Sequence, residues 1–569
     1  MARARLRGRA PSAERLREHD RHRPWVVLPV LAALLVYCWC YTHVAQWLGV
    51  PTPQDVVDGL GLALPEVIDQ DGDIDAKLRV SHTRLFGSDD ERLIGFAALF
   101  ACFLSAYFLP LRHKKPAIVA WFFAAFAVLY GPRTALTLLT AHLTIYLLFH
   151  PTAPRTAAIA GAWAGLLTYL SLGDIGAAPA AAWTALAATA GASLYARLAA
   201  VLAAGGRAVA ALRTGAIQAC MITILVASAH EGLTGQTWTL PVGLVAWFYQ
   251  WARLMVYRAD YTDGEVPRDL ALGEYLAVFL SPAGLFNLAY APYLGQGYVY
   301  LRERHLAADK SALALSGVRL WCLALVYMVL AEQATQWFIA ATQRILGVEV
   351  HAYTSELVRA HLRGDPISAP TVLLSTLVDQ ARIFLIYGGV THFRVGAWRV
   401  LGYAMDTQYD RPWLATNLAA LWGRFAFHFR EFLVRVFYYP VFFTCFRRRP
   451  VARLVCATMV ATVLGNLVWG HVPPATISHL KWSSFTRILS TWPYFLLLGL
   501  GISLTQVWLL RRPRARKPWT LDRRLPLDLL CAYATFQYFS LIHIYIRPQP
   551  GGSLAASTRL LLTGLGLER

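Results

Sequence analysis

Charged residues are scarce in this sequence. They make up 15% of its 569 residues, whereas 57% are hydrophobic. The mean hydropathy of +0.43 excludes an ordinary soluble protein of this size. Nearly continuous apolar runs indicate helices in lipid rather than β-barrel strands, because a helical span needs roughly 20 apolar residues and a barrel strand shows about ten alternating ones. The clearest of these runs cover 25–48, 93–110, 180–204 and 494–510.

Cysteine is also sparse, with eight residues that stand singly apart from Cys38 and Cys40. This spacing excludes a disulfide framework and a zinc site. Four aspartates surround Gly72, as in a calcium-binding loop, but Val67 and Leu78 would then have to be the first and last ligands. Neither side chain binds calcium, so we expect no metal site and no bound cofactor.

Acidic residues are outnumbered, and the formal net charge is +20. The basic residues form short clusters between apolar runs, at 1–24, 111–116, 446–450 and 511–518, which is the positive-inside pattern of membrane proteins and excludes a nucleic-acid partner. The acidic residues gather in a loop at 51–92. The alternation predicts a cytoplasmic N-terminus, retention in the cell (cytoplasmic) membrane and contacts with membrane lipids.

The predicted fold is an all-α polytopic integral membrane protein. We expect about ten to thirteen transmembrane helices, with re-entrant or interfacial helices around a central tunnel. Residues 1–24 form a basic cytoplasmic segment. Residues 25–210, rich in Ala and Leu and expected to bury few polar groups, form a transmembrane scaffold. Residues 211–569, in which Pro and Gly interrupt aromatic runs, form the functional core.

The segment Arg382–Pro440 is crowded with polar side chains inside this apolar chain. Such side chains are costly at membrane depth and often mark a pathway or a reaction site. Arg424, His428 and Arg435 approximate the spacing of one helix face, with Trp422 on an aromatic face. The pattern fits an interfacial helix and also the wall of a reaction chamber, and the two interpretations are compatible.

His471 ends another apolar run, directly after Trp469 and Gly470. A histidine in an apolar run is more often a packing residue than a catalyst. Here, however, Pro473 and Pro474 force the helix to end or distort nearby. Imidazole changes its charge between about pH 5 and 8, which makes it a natural general base for a hydroxyl group.

In their order, these segments resemble the membrane-bound O-acyltransferase family. The similarity extends over roughly Gly273 to Tyr545. It rests on a Pro/Gly-broken aromatic segment, on a Gly-x-Lys-like tripeptide, on a region with Arg-Pro and Arg-Trp-His motifs, and on a span that ends in Trp-His-Gly. The matching residues are 273–301, Gly317-Val318-Arg319, Gly396, Leu401-Gly402, Arg411-Pro412, Ala415, Trp422, Arg424 and 465–471.

Three positions depart from the family pattern. Gln408-Tyr409-Asp410 replaces the residues before Arg-Pro, Ala426 stands where the third residue of Arg-Trp-His is polar, and His471 is displaced by one residue. His428 is a possible substitute for that third residue, although two residues further along a helix it faces another way. A divergent member of the family, or one that has lost catalysis, fits these departures.

The resemblance implies transfer of an acyl group from a thioester donor to a hydroxyl acceptor such as a cell-envelope glycan or lipid. It implies that His471 is catalytic and that acyl-CoA or an acyl-carrier thioester is the donor, with a carrier or acyl-transfer protein as a potential partner. We expect several residues to bind substrate or line the tunnel, namely Gln408, Asp410, Trp422, Arg424, His428, Asn466 and Trp469.

Two alternatives stay open. A lipid or glycan transporter or flippase would use the same intramembrane polar residues, including Asp379, as a substrate path. A catalytically inactive, acyltransferase-like scaffold would explain Ala426 and the displaced His471.

Overall fold

The computed structural model describes most of the chain between Phe100 and Leu567 and, before it, Ala32 alone. The described ranges are 100–105, 108–130, 132–171, 177–234, 240–279, 296–298, 300, 310–468, 491–511, 525–546 and 554–567. The chain divides into two compact units. The first contains 88–308 and the second 309–569, with 1–22 assigned to the first and 23–87 to the second. The domain boundaries expected from the sequence stay a prediction.

The described part of the first unit is helical. Its helices are α1 Leu111–Tyr130, α2 Pro132–Phe149, α3 Thr156–Ser171, α4 Ala177–Ala204, α5 Arg207–Thr234, α6 Leu240–Thr262 and α7 Leu272–Phe279.

In the second unit, the described helices range from 6 residues in α14 to 32 in α11. They are α8 Lys310–Val329, α9 Thr335–Leu346, α10 Thr354–Arg363, α11 Ala369–Val400, α12 Leu418–Arg424, α13 Phe427–Leu433, α14 Tyr439–Thr444, α15 Pro450–Met459, α16 Trp492–Arg511, α17 Leu525–Ile542 and α18 Leu554–Gly564. Three π-helical turns continue α8, α13 and α15, at Leu330–Ala334, Val434–Tyr438 and Val460–Leu464.

Six helical stretches among the described residues are long and apolar enough to cross a membrane. They are Ala181–Ala204, Ser311–Leu346, Ala369–Gly389, Pro450–Val468, Trp492–Arg511 and Leu525–Tyr545. The apolar runs expected to be helices at 180–204 and 494–510 are helical, within Ala177–Ala204 and Trp492–Arg511. The chain is a helical integral membrane protein, and the total of ten to thirteen spans stays a prediction.

Small residues bring α3 and α4 into close contact in the first unit. A methyl group added at Gly161 would lie 2.8 Å from the carbonyl oxygen of Ala188, and one added at Gly191 would collide with the side chain of Ala164. Helices in lipid gain van der Waals contact where small residues let their backbones approach. The Ala-rich composition of this region therefore has the packing role that we expected.

Among the described residues before 210, few polar side chains are buried, as expected, and several of these lie in the second half of α2 or directly after it. His142, Tyr146 and His150 are fully buried there. Tyr146 donates a hydrogen bond to the carbonyl of Leu270 at 2.9 Å, and His150 pairs with the hydroxyl of Tyr257. Burial lowers the pKa of His150 to about 4, so this imidazole is neutral at pH 7. These groups have partners far along the chain, which sequence spacing does not reveal.

Arg213 of α5 forms hydrogen bonds in the same region. Its guanidinium donates to the carbonyl of Leu148 at 2.8 Å and to that of Leu202 at 3.3 Å, and it lies over the ring of Tyr261 at 5.0 Å. A buried helix end must satisfy its free carbonyl groups. Arg213 therefore acts as a structural clamp on the ends of α2 and α4.

In the second unit, α8 and α11 pack closely against each other at Gly317 and Gly396. A methyl group added at Gly317 would lie 2.5 Å from the carbonyl oxygen of Gly396, and one added at Gly396 would lie 2.6 Å from the ring of Trp321. Both glycines belong to the motifs on which the family resemblance rests. Their contact gives these positions a packing function.

An aromatic core lies between α11, α16 and α17, where Phe384 stacks on Phe539 with ring centroids 5.5 Å apart. Tyr409 and Phe425, from the chain that follows α11, complete this core. The loop that carries the predicted site residues is therefore anchored on three long helices.

Candidate functional site

The segment from Arg411 to Pro440 is not one amphipathic helix, contrary to our expectation. Helix α12 ends at Arg424, Phe425 is extended, and Ala426 adopts a left-handed conformation with φ of 48° before α13 starts at Phe427. The helical spacing of Arg424 and His428 was therefore a wrong prediction. Neither Phe425 nor Ala426 is a helix-breaking residue, and Gly423, two residues earlier, is the one weak local signal of a helix end.

Gln408 and His428 lie together beneath this break, and both are fully buried. The side-chain oxygen of Gln408 accepts a hydrogen bond from the backbone N–H of His428 at 2.9 Å, and its carbonyl accepts one from Phe427 at 3.0 Å. The Nε2 atom of His428 lies 3.1 Å from the carbonyl oxygen of Asp406. Gln408 thus satisfies two N–H groups in the first turn of α13.

Asp410 and Arg424 are also adjacent, and Asp410 is exposed. The backbone N–H of Asp410 donates to the carbonyl of Arg424 at 2.9 Å, and the guanidinium of Arg424 lies 3.4 Å from the carbonyl of Asp410. Arg411, which follows, is held at φ of 46°. Non-glycine residues in this conformation are uncommon and often occur at functional sites.

Arg430 stabilises the junction between the two short helices. Its guanidinium donates to the carbonyl of Gly423 at 2.9 Å and to the carboxylate of Glu431 at 2.7 Å, and it lies 5.0 Å from the ring centroid of Phe427. At the other end of α12, the side chain of Asn417 caps the helix by accepting from the N–H of Ala420. Trp422, half-buried, packs on the aromatic core.

Asn466 is half-buried, and its side chain donates to the carbonyl of Thr462 in its own helix at 2.7 Å. The neighbouring Gly465 lies against α13 and the turn after it, since an added methyl group would be 2.6 Å from Leu433 and 3.1 Å from Phe437. The span that leads toward His471 is therefore packed beside the helix that carries His428. Trp469 and His471 themselves lie outside the described residues.

His392, which the sequence pattern did not single out, is buried beside this site. Its ring packs on Tyr327 at 5.4 Å, and Tyr327 contacts Trp413, two residues after Arg411, at 5.8 Å. Within the described part of the chain, Nδ1 of His392 has no hydrogen-bond partner. The signal available in the sequence was His392 itself, a titratable side chain inside a long helix.

Among the described residues, His, Cys, Asp and Glu side chains form no group of three that could hold a metal ion. No protein-family model matches the chain, and a search of curated proteins finds no significant relative. What the structure defines is a class, a helical integral membrane protein with a folded polar loop against its aromatic core.

Proposed function

We propose that the protein is a membrane O-acyltransferase that moves an acyl group from a thioester donor to a hydroxyl acceptor. The observation that carries the proposal is the close packing of two separate segments. Gly465, on the span that leads to His471, contacts the helix of His428, and that helix is held by Gln408. Polar residues expected from separate motifs thus belong to one region.

In the proposed reaction, His471 takes the proton of the acceptor hydroxyl as its oxygen attacks the thioester carbonyl. The carbon–sulfur bond then breaks, and the thiolate takes up that proton on leaving. General-base catalysis of this kind contributes typically 10²–10⁴-fold. Holding both substrates at the correct distance contributes further. In this proposal Asp410 and the α12 residues Trp422 and Arg424 contact one of the two substrates.

The proposal includes acyl-CoA or an acyl-carrier thioester as the donor and a cell-envelope glycan or lipid as the acceptor. It also includes the predicted ten to thirteen spans, a central tunnel that separates the two substrates, and a cytoplasmic N-terminus in the cell membrane. Basic clusters at membrane boundaries support an anionic donor, because a positive field concentrates anions.

The test is thioester turnover by the purified full-length protein in detergent, measured as free thiol released together with acylated acceptor. We expect His471→Ala to lower turnover by about 10²–10⁴-fold. The control is His479→Ala, which removes a second histidine from the same segment and should retain turnover. Undiminished turnover by His471→Ala would sink the assignment, and wild-type protein without turnover would favour the inactive scaffold.

A transporter would need the buried charges of α11 to face a substrate path. In the structure, Asp379 accepts hydrogen bonds from the N–H and hydroxyl of Thr354 at 3.1 and 2.6 Å. Arg382 donates to the hydroxyl of Tyr353 at 2.8 Å and lies 4.0 Å from its ring centroid. These contacts fix the start of α10 on α11, so they favour a structural role for both charges over a transport path.

A further inference from the structure

The sequence between Glu431 and Asp522 contains no acidic residue and twelve Lys and Arg residues. Three of these, Arg447, Arg448 and Arg449, form an exposed turn between α14 and α15. An exposed arginine is normally balanced by nearby carboxylates in mixed-charge surfaces. This turn has no carboxylate close to it along the chain on the C-terminal side and none for fifteen residues before it.

More arginines gather at the same end of the helix pair α15 and α16. The hydroxyl of Thr458 donates to Gln506 at 2.7 Å, and Thr462 lies against Gly499, so the two helices run antiparallel. The first turn of α15, with Arg453, is therefore at the end of the pair where α16 finishes at Arg511. Arg453 lies 4.3 Å from the ring centroid of Phe442, and its Nε atom is buried with no hydrogen-bond partner among the described residues.

Exposed aromatic side chains occur in this turn, in α14 before it and in the last turns of α16. Phe443 and Phe446 are 50% and 52% exposed, and Trp508 on α16 is 51% exposed. Both α15 and α16 belong to stretches that can cross a membrane. Aromatic rings and arginines at the end of such helices are typical of the interface between head groups and acyl chains.

Phe446 carries a further signal, because its φ is 47°. A left-handed conformation costs a non-glycine residue roughly 1–2 kcal/mol. The backbone N–H of Arg449 donates a hydrogen bond to the carbonyl of Phe446 at 2.8 Å and closes the turn. Glycine would fit this position without strain. An exposed aromatic ring at this strained position is explained if the ring lies in the membrane instead of in water.

We propose that the turn Phe446–Pro450 is a binding site for the phosphate of an anionic phospholipid headgroup. Planar guanidinium groups match phosphate oxygens in pairs, and the Nε of Arg447, which donates to the carbonyl of Phe443 at 3.0 Å, leaves its other N–H groups for the lipid. Phe446 inserts at the boundary between head groups and acyl chains. This inference does not depend on the acyltransferase proposal.

The experiment measures lipid binding to the purified full-length protein in detergent, by native mass spectrometry and by the midpoint of thermal unfolding. Phosphatidylglycerol should raise the midpoint for wild type, and phosphatidylcholine should not. We expect the triple variant Arg447→Gln, Arg448→Gln, Arg449→Gln to bind phosphatidylglycerol about 100-fold more weakly. The control removes three exposed arginines of the first unit, with Arg197→Gln, Arg207→Gln and Arg268→Gln, and should bind like wild type.

Variants of Phe446 provide an independent test of the lipid site. Phe446→Trp should retain phosphatidylglycerol binding, whereas Phe446→Gly should lose part of it while remaining folded, because glycine accepts the left-handed backbone. Unchanged phosphatidylglycerol binding by the triple variant would overturn the proposal. So would equal stabilisation of wild type by phosphatidylcholine, or by soluble tripolyphosphate without lipid, since the latter would identify a site for free phosphate compounds.

Discussion

Buried polar residues occur in both units, but they are arranged differently. In the first unit, Tyr146 and Arg213 direct their donors to backbone carbonyls of distant segments. In the second unit, Gln408 supports the start of a short helix that follows a left-handed Ala426. Burial of a polar group therefore does not mark a site by itself. The first unit also has an exposed left-handed residue, Arg155 with φ of 62°. What distinguishes the second region is that its left-handed residues Arg411 and Ala426 follow the buried Gln408 and precede the buried His428.

The largest expected effect that tests this comparison comes from Gln408→Ala. The variant leaves the buried N–H of His428 without its acceptor, which costs about 1–3 kcal/mol. Since the loop would also lose its position, we expect acyl transfer per folded molecule to fall at least about tenfold. Chemical unfolding in detergent and thioester turnover measure the two effects.

The matched variant is Gln250→Ala in the first unit. Gln250 is equally buried, and its amide donates to the carbonyl of Phe279 at 3.0 Å. It should lose stability by a similar amount and keep its turnover. Equal turnover losses in the two variants would remove the distinction between the units.

A smaller effect is expected from His150→Phe. The ring volume is retained, but the hydrogen bonds to Tyr257 and to the carbonyl of Arg268 are lost. We expect a loss of about 1–2 kcal/mol of unfolding free energy and unchanged turnover. A variant that unfolds like wild type but turns over poorly would show that the first unit takes part in the reaction.

The smallest effect concerns the backbone of Ala426. Ala426→Gly should raise the unfolding free energy by up to about 1 kcal/mol, because glycine adopts a positive φ readily. The control Ala341→Gly lies at an exposed position inside α9 and should cost about 0.5–1 kcal/mol. A higher unfolding temperature for Ala426→Gly and a lower one for Ala341→Gly support backbone strain at Ala426. Equal decreases in the two variants contradict it.

The sequence allowed the long spans to be predicted, because apolar length suffices for Pro450–Val468 and Trp492–Arg511. It also singled out Gly317 and Gly396, although not their contact. The break at Phe425–Ala426 was missed because tertiary packing overrides the helix propensity of Ala there. The burial of His142 and His150 depends on α6 and α7, which lie more than a hundred residues away.

The π-helical turn Val460–Leu464 has a consequence for helix phase. A π-helical turn closes its hydrogen bond one residue later than an α-helical turn. Each following residue is thereby rotated to the angular position that its predecessor would occupy in an unbroken α-helix, a change of about 100°. In the described part of this helix, Asn466 therefore takes the angular position that Gly465 would have in an unbroken α-helix, and Leu467 takes that of Asn466.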